Sequence, residues 1–120
     1  MLIDTHTHLY ANQFEEDRTE MIQRALDVGV KHFFLPNIDL DSIDGMYALE
    51  AAYPGQMHPM MGLHPCSVAA DYKQVLENIK SELDKRSFVA IGEIGMDLYW
   101  DKTYEQEQNT AFLMQVEWAE

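Results

Sequence analysis

Cysteine is nearly absent: Cys66 is the single one among 120 residues. A disulfide framework within the chain is thereby excluded, and a reducing compartment is the easier setting. There is no thiolate cluster for a structural zinc site. Basic residues are scarce too, eight Lys and Arg against 21 Asp and Glu, for a formal charge of -13. That balance argues against a protein that wraps nucleic acid nonspecifically through backbone charge. It leaves phosphate substrates open, because bound divalent cations reverse the local field.

No apolar run approaches the roughly 20 residues that cross a bilayer, so no membrane partner is expected. No basic segment followed by an apolar stretch opens the chain, so no secretory signal is read and a cytoplasmic location is expected. No linker, low-complexity tract or shift in composition divides the sequence, and 47% hydrophobic residues suffice for one core. The acidic runs Glu15-Glu16-Asp17 and Asp39-Leu40-Asp41 read as solvated loops and helix starts. Cys66 reads as a packing or lining residue, with His64 its one chemically interesting neighbour.

Four apolar segments have the character of strands: Met1 to Ile3, Val30 to Leu35, Met57 to Met61, and Phe88 to Ile91. Continuous apolar runs suit parallel strands covered on both faces. Helical periodicity lies between them. Met21, Ile22, Ala25 and Leu26 form one stripe, closed by Gly29 as a C-terminal cap. Ile43, Met46, Tyr47 and Ala51 form a weaker one, interrupted by Gly45. Tyr72, Val75, Leu76, Ile79 and Leu83 form the clearest, with Asp71 placed as N-cap. Ala111, Phe112, Gln115, Val116 and Ala119 form the last. The order βαβαβαβα, at about 30 residues per unit, is that of a βα repeat. Two closures are open, a small open α/β sheet or half of an eight-unit barrel of roughly 250 residues. The barrel fits the chemistry better. Polar groups collect just after the strands, at His6 and His8, Asn37, His64 and Glu93, where such barrels keep their sites.

His6 and His8, in Asp4-Thr5-His6-Thr7-His8, are two apart on extended backbone, so both rings face one point, as two metal ligands must. Glu93 lies in an apolar run between Gly92 and Ile94, where an unpaired carboxylate is costly to bury and a metal would hold it. Its two oxygens can bridge two metals, an arrangement that clamps phosphoryl transfer. Asp4 is placed either to accept a ligand histidine's second N–H or to orient a loop. His64 is a candidate for substrate contact or a loop hydrogen bond, and Asp97 for orienting a loop or a metal-bound water. Tyr99 and Trp100 offer an apolar wall or a stacking platform for a base. His32 and His58 read as structural.

Asp4-Thr5-His6-Thr7-His8-Leu9, Gly62-Leu63-His64-Pro65 and Gly92-Glu93-Ile94-Gly95-Met96-Asp97, in this order and spacing, resemble the successive signatures of the TatD-related metal-dependent hydrolases. The segment from Gln106 to Ala119 resembles the helix that follows. The resemblance implies a (β/α)8 TIM barrel, of which these residues are the first four βα units and 1–120 the N-terminal half of a single domain. It implies two divalent metal ions (Mg, Mn or Zn), with His6 and His8 on one metal and Glu93 bridging to the second. Two later histidines and a late aspartate that complete such sites have no counterpart in this sequence. Cys66 stands where many relatives have histidine.

The function so implied is hydrolysis of phosphodiester bonds in DNA, at ends or on single strands, by metal-activated water. A metal-dependent hydrolase of an amide, ester or lactone is the alternative within the same chemistry. A non-catalytic, metal-stabilised scaffold is the alternative outside it. The economical expectation is that these residues are part of a longer polypeptide. A chain of this length alone would expose two sheet edges and be prone to self-association.

Overall fold

Three parallel strands form the sheet in the computed structural model, which describes residues 1–120. They are β1, Leu2–Asp4, β2, Val30–Leu35, and β3, Met57–Pro59, in the order β1-β2-β3. Leu2 is in register with Val30, and Phe33 with Met57. Parallel neighbours need a crossover, and helices supply both. α1, Arg18–Asp27, connects the first pair, and α2, Ile43–Ala52, the second. Gly29 ends the first crossover at φ 100°, a conformation an L side chain resists. Its carbonyl then accepts from Leu2 N–H at 2.9 Å, which starts the β1–β2 pairing.

The core lies on the helix side of the sheet. Phe33 and Leu35 project into it from β2 and meet Ile22 of α1 with Met46 and Leu49 of α2, all buried. Burying side chains of this size stabilises by about 1.5–3 kcal/mol each. The opposite face is only half covered: His32, Phe34 and His58 are intermediate in burial. The expectation that the strands are covered on both faces therefore holds on one face only. His32 Nδ1 lies 2.9 Å from His58 Nε2, consistent with the structural role read for both.

α3, Tyr72–Asp84, buries Leu76 and Ile79, and α4, Glu105–Ala119, packs on it. Asp71 occupies the cap position of α3, but its carboxylate makes no capping bond. Its carbonyl instead accepts from Gln74 and Val75 N–H at 3.0 and 3.2 Å. Gly45 does not interrupt α2. The helix continues through it, with the missing Cβ facing the Tyr10 carbonyl.

The fourth expected strand, Phe88 to Ile91, is not one. It makes a single parallel bridge, Met61 to Ile91. Gly92 N–H donates to Met61 O at 3.1 Å, and Met61 N–H to Ala90 O at 3.3 Å. The ladder stops there because Gly62 and Gly92 pack backbone to backbone and no strand lies on the far side, leaving Val89 48% exposed. The order of elements agrees with the βα repeat, and the polar segments after each strand gather at one end.

A Cβ at Gly62 would sit 2.8 Å from the Gly92 carbonyl carbon and 2.9 Å from its oxygen, and backbone atoms cannot step aside. Gly62→Ala should therefore destabilise by about 1–3 kcal/mol and displace Glu93. Urea unfolding checks the first part, and a change under about 0.5 kcal/mol would contradict it.

Candidate metal centre

β1 ends at Asp4, so His6 and His8 lie on the segment just beyond it. Thr7 N–H still donates to Phe34 O at 3.0 Å, which continues the pairing with β2 and holds the alternation about Thr7. The two rings meet edge to face with centroids 5.1 Å apart. Of the two readings of Asp4, the structure shows the loop-orienting one and not the bond to a ligand histidine's ring. Asp4 Oδ1 accepts from the His6 backbone N–H at 3.2 Å, so it shapes the segment rather than the imidazole.

Glu93 reaches the same point from the far side of the sheet. Its backbone N–H donates to Asn37 O at 3.0 Å, and Asn37 N–H donates to Gly92 O, also at 3.0 Å. Asn37 is fully buried. Its Nδ2 donates to the Gly62 and Asp39 carbonyls, each at 2.9 Å, and its Oδ1 accepts from Ser42. Considered from sequence as a weaker site candidate, Asn37 is instead a brace joining the segments after β2, after β3 and around Glu93. The buried glutamines of α4 do similar work. Gln115 accepts from Leu63 N–H at 2.7 Å, and Gln108 accepts from Asp97 N–H at 2.8 Å and returns a bond to Asp97 O.

His6 Nε2 and His8 Nε2 lie 3.1 and 3.2 Å from Glu93 Oε2. Ligand atoms from the three residues all fall within 4.8 Å of one another. Oε2 is nonetheless buried without a hydrogen-bond partner. The tautomer of His8 explains part of this. Its Nδ1 is 3.0 Å from the Tyr10 hydroxyl, which donates its only proton to the Pro36 carbonyl. Burial pushes the Tyr10 hydroxyl far above the ordinary tyrosine range, so that proton stays in place. The hydroxyl oxygen must therefore accept from His8 Nδ1–H, which leaves an unshared pair on Nε2, 3.2 Å from Oε2.

Burial also holds the His8 pKa below that of an ordinary histidine, outweighing the pull of Glu93, so the ring is neutral near pH 7. A neutral imidazole lone pair facing a carboxylate oxygen is repulsive until a cation lies between them. This donor set, two imidazole nitrogens and a carboxylate oxygen, fits a divalent cation such as Zn or Mn. Tyr10 escapes sequence reasoning. Its only local signal is its place two residues beyond His8, and the bond to Pro36 is long-range.

His64 joins the cluster from the segment after β3, its Nε2 3.3 Å from the other carboxylate oxygen, Glu93 Oε1. Its Nδ1 accepts from Cys66 N–H at 3.0 Å. Asp97 does not join. Its carboxylate receives Cys66 Sγ–H at 3.2 Å and Tyr99 N–H at 3.1 Å. The first of these bonds is the main reason its pKa lies below the ordinary aspartate value. Burial, with Asp97 beside it, raises the Cys66 thiol, which suits a lining residue rather than a nucleophile. Tyr99 and Trp100, 82% and 79% exposed, stand edge to face with centroids 4.6 Å apart. Trp100 lines a cavity of about 80 Å³ with Pro65, Cys66 and Asp97.

Residues 3–120 match the family model described as TatD related DNase. The metal-dependent hydrolase YabD of Bacillus subtilis (strain 168) is 32% identical over 116 residues, covering 97% of this chain and 45% of that protein. The 3'-5' ssDNA/RNA exonuclease TatD of Yersinia pseudotuberculosis is 29% identical over 115 residues, covering 96% of this chain and 44% of its own length. The crystal structure of YjjV, a TatD homologue from Escherichia coli K12, superposes with a TM-score of 0.84 at 29% identity, over 97% of this chain and 45% of that one. The chain thus spans less than half the length of these relatives.

Tyr10→Phe removes the group that accepts the His8 Nδ1 proton. Divalent-cation affinity, read by titration calorimetry with Mn or Zn, should fall about 10- to 100-fold. Unfolding should become easier by roughly 1–2 kcal/mol through the stranded Pro36 carbonyl. Unchanged affinity would show that the tautomer is held by something else.

Proposed function

Because this chain belongs to the TatD-related DNase family of metal-dependent hydrolases, we propose that His6, His8 and Glu93 hold a divalent cation in a phosphodiesterase acting on DNA. The observation that carries this reading is the buried, unpartnered Glu93 Oε2 facing two imidazole nitrogens. Residues 1–120 then form the N-terminal half of one (β/α)8 barrel, and the open edge at Ile91 is where its next strand pairs. Two divalent ions, from Mg, Mn or Zn, would be held here, with His6, His8 and Glu93 among their ligands and the remaining ligands outside these residues.

A divalent ion held there supplies Lewis-acid polarisation of a phosphoryl oxygen and a bound water of lowered pKa. The chain's own residues do the rest. Tyr10 keeps the His8 proton on Nδ1, so Nε2 is free to bind. Asn37 and the close approach of Gly62 to Gly92 fix the Glu93 backbone, so the carboxylate need not be ordered on binding. His6, with 55% of its side chain exposed, forms the open side of the cluster, where a phosphodiester can enter.

Single strands or chain ends are the proposed form of DNA. The charge of -13 opposes an extended duplex footprint. Tyr99 and Trp100 offer aromatic faces that would stack with an unpaired base. No helix is long and apolar enough to cross a membrane.

The test uses the full-length protein on labelled single-stranded oligonucleotides with Mn, Mg or Zn, against a chelator control. Metal-dependent cleavage is expected, lost at least about 100-fold in Glu93→Ala, a ligand rather than an outer partner. Turnover confined to ester or lactone substrates would move the assignment to that class, and metal-dependent folding without turnover would indicate a scaffold. Trp100→Ala should raise KM for an oligonucleotide roughly 5- to 100-fold, and leave a small aryl phosphodiester unaffected. Equal effects on both would remove the stacking role.

A further inference from the structure

A hollow of about 500 Å³ opens between α1 and α2, outside the metal centre. Its walls include Tyr10 and Asn12 beyond β1, Arg18 and Thr19 of α1, and Leu49 and Tyr53 opposite. None of His6, His8, His64 and Glu93 lines it. Gly45, Ala48 and Ala52 are spaced three and four apart on α2, so they share one face, and all three line the hollow. Their small side chains leave the helix surface bare there. The volume falls within the roughly 300–1,000 Å³ of small-molecule pockets.

Arg18 gives the hollow its chemistry. The side chain is half-buried and three carbonyls hold it. Nε donates to Leu9 O at 2.7 Å, and Nη2 to Tyr10 O and Ala11 O at 3.1 and 2.9 Å. Nη1 bonds nothing in the protein, and the carbonyls fix the group without neutralising it. The ion pairs made by lysine and arginine use Lys80, Lys85 and Arg86, and no carboxylate pairs with Arg18. A half-buried cation without a carboxylate is unexpected where 21 acidic residues face eight basic ones. A fixed guanidinium with free N–H groups is preorganised for a carboxylate or phosphate oxygen. The surrounding charge decides between the two. Glu15 lines the same hollow, and a neighbouring one of about 260 Å³, which shares Tyr10, Asn12 and Gly45, carries Asp39 and Asp41. One added negative charge meets one unpaired cation, whereas the second charge of a phosphate monoester meets only repulsion.

We propose that this hollow binds a small monocarboxylate with an apolar body. The carboxylate lies on Arg18 Nη1 and the body against Leu49, Tyr53 and the bare face of α2. The site is independent of the metal-centre reading. Tyr10 is the residue common to both places: it lines the hollow, and its hydroxyl meets the Pro36 carbonyl and His8.

The test is a chemical-shift titration of the labelled full-length protein, stripped of metal, with benzoate. Shifts are expected at Thr19, Ala48 and Ala52, with a Kd of about 1 mM or tighter. Benzamide, the neutral counterpart, should bind about 10- to 100-fold more weakly, and Arg18→Gln should cost benzoate as much. Phenyl phosphate should also bind more weakly than benzoate. Ala48→Phe puts a ring into the hollow and keeps every bond of Arg18, and it should abolish the shift at Thr19. Its thermal melt by circular dichroism shows that it folds. Five results would each overturn the proposal: no shifts, shifts confined to His6 and Glu93, equal binding of benzamide, tighter binding of phenyl phosphate, or wild-type benzoate affinity in Ala48→Phe. The benzamide comparison and Ala48→Phe decide the matter even where Arg18→Gln unfolds the loop.

Discussion

The buried side chain of Asn37 is the point on which the geometry of this molecule depends. Its backbone exchanges hydrogen bonds with Gly92 and Glu93, and its amide bonds the carbonyls of Gly62 and Asp39. Three chain segments that share no regular ladder are thereby held together. An apolar residue of the same size would leave several buried carbonyls without donors, each costing about 1–3 kcal/mol. Regular β pairing would have imposed its own register there and left no room for a carboxylate. A side-chain brace does the same joining while letting Glu93 face inward.

Around that brace, polar side chains take over work that apolar packing does elsewhere. α4 buries Gln108 and Gln115 along with Ala111, and both glutamines bond backbone groups of the segments leading to and from the site. Arg18 of α1 acts similarly on the other side, donating to the carbonyls of Leu9, Tyr10 and Ala11. The loops are thus held by directional bonds, which fix position more sharply than apolar contact. A cluster of three histidines and one glutamate needs this, since the groups have no mutual attraction until a cation or a proton lies between them.

Two histidine clusters in one small structure behave differently for a local reason. His32 and His58 lie on the sheet face and bond each other, and the burial that lowers the pKa of His58 keeps it neutral beside its partner. His6 and His8 lie past the strand end, where no neighbour takes up their Nε2 atoms except Glu93. Being past the strand end, rather than being histidine, makes them available for chemistry.

Much of this was readable without coordinates. The alternation of His6 and His8 and the isolation of Glu93 in an apolar run are local patterns, and local patterns survive folding when nothing competes with them. Val30–Leu35 and the helices of the repeat were readable on the same ground, since periodicity marks the face each buries. Phe88 to Ile91 shows the limit. Its composition suits a strand, but a strand exists only where a partner supplies bonds along its length, and here one bridge forms. Which Glu93 oxygen meets which imidazole, where each ring proton lies, and the roles of Tyr10 and Asn37 were decided by tertiary structure alone. Those features depend on contacts between residues distant in sequence, and no local pattern encodes the distance between two side chains that fold together.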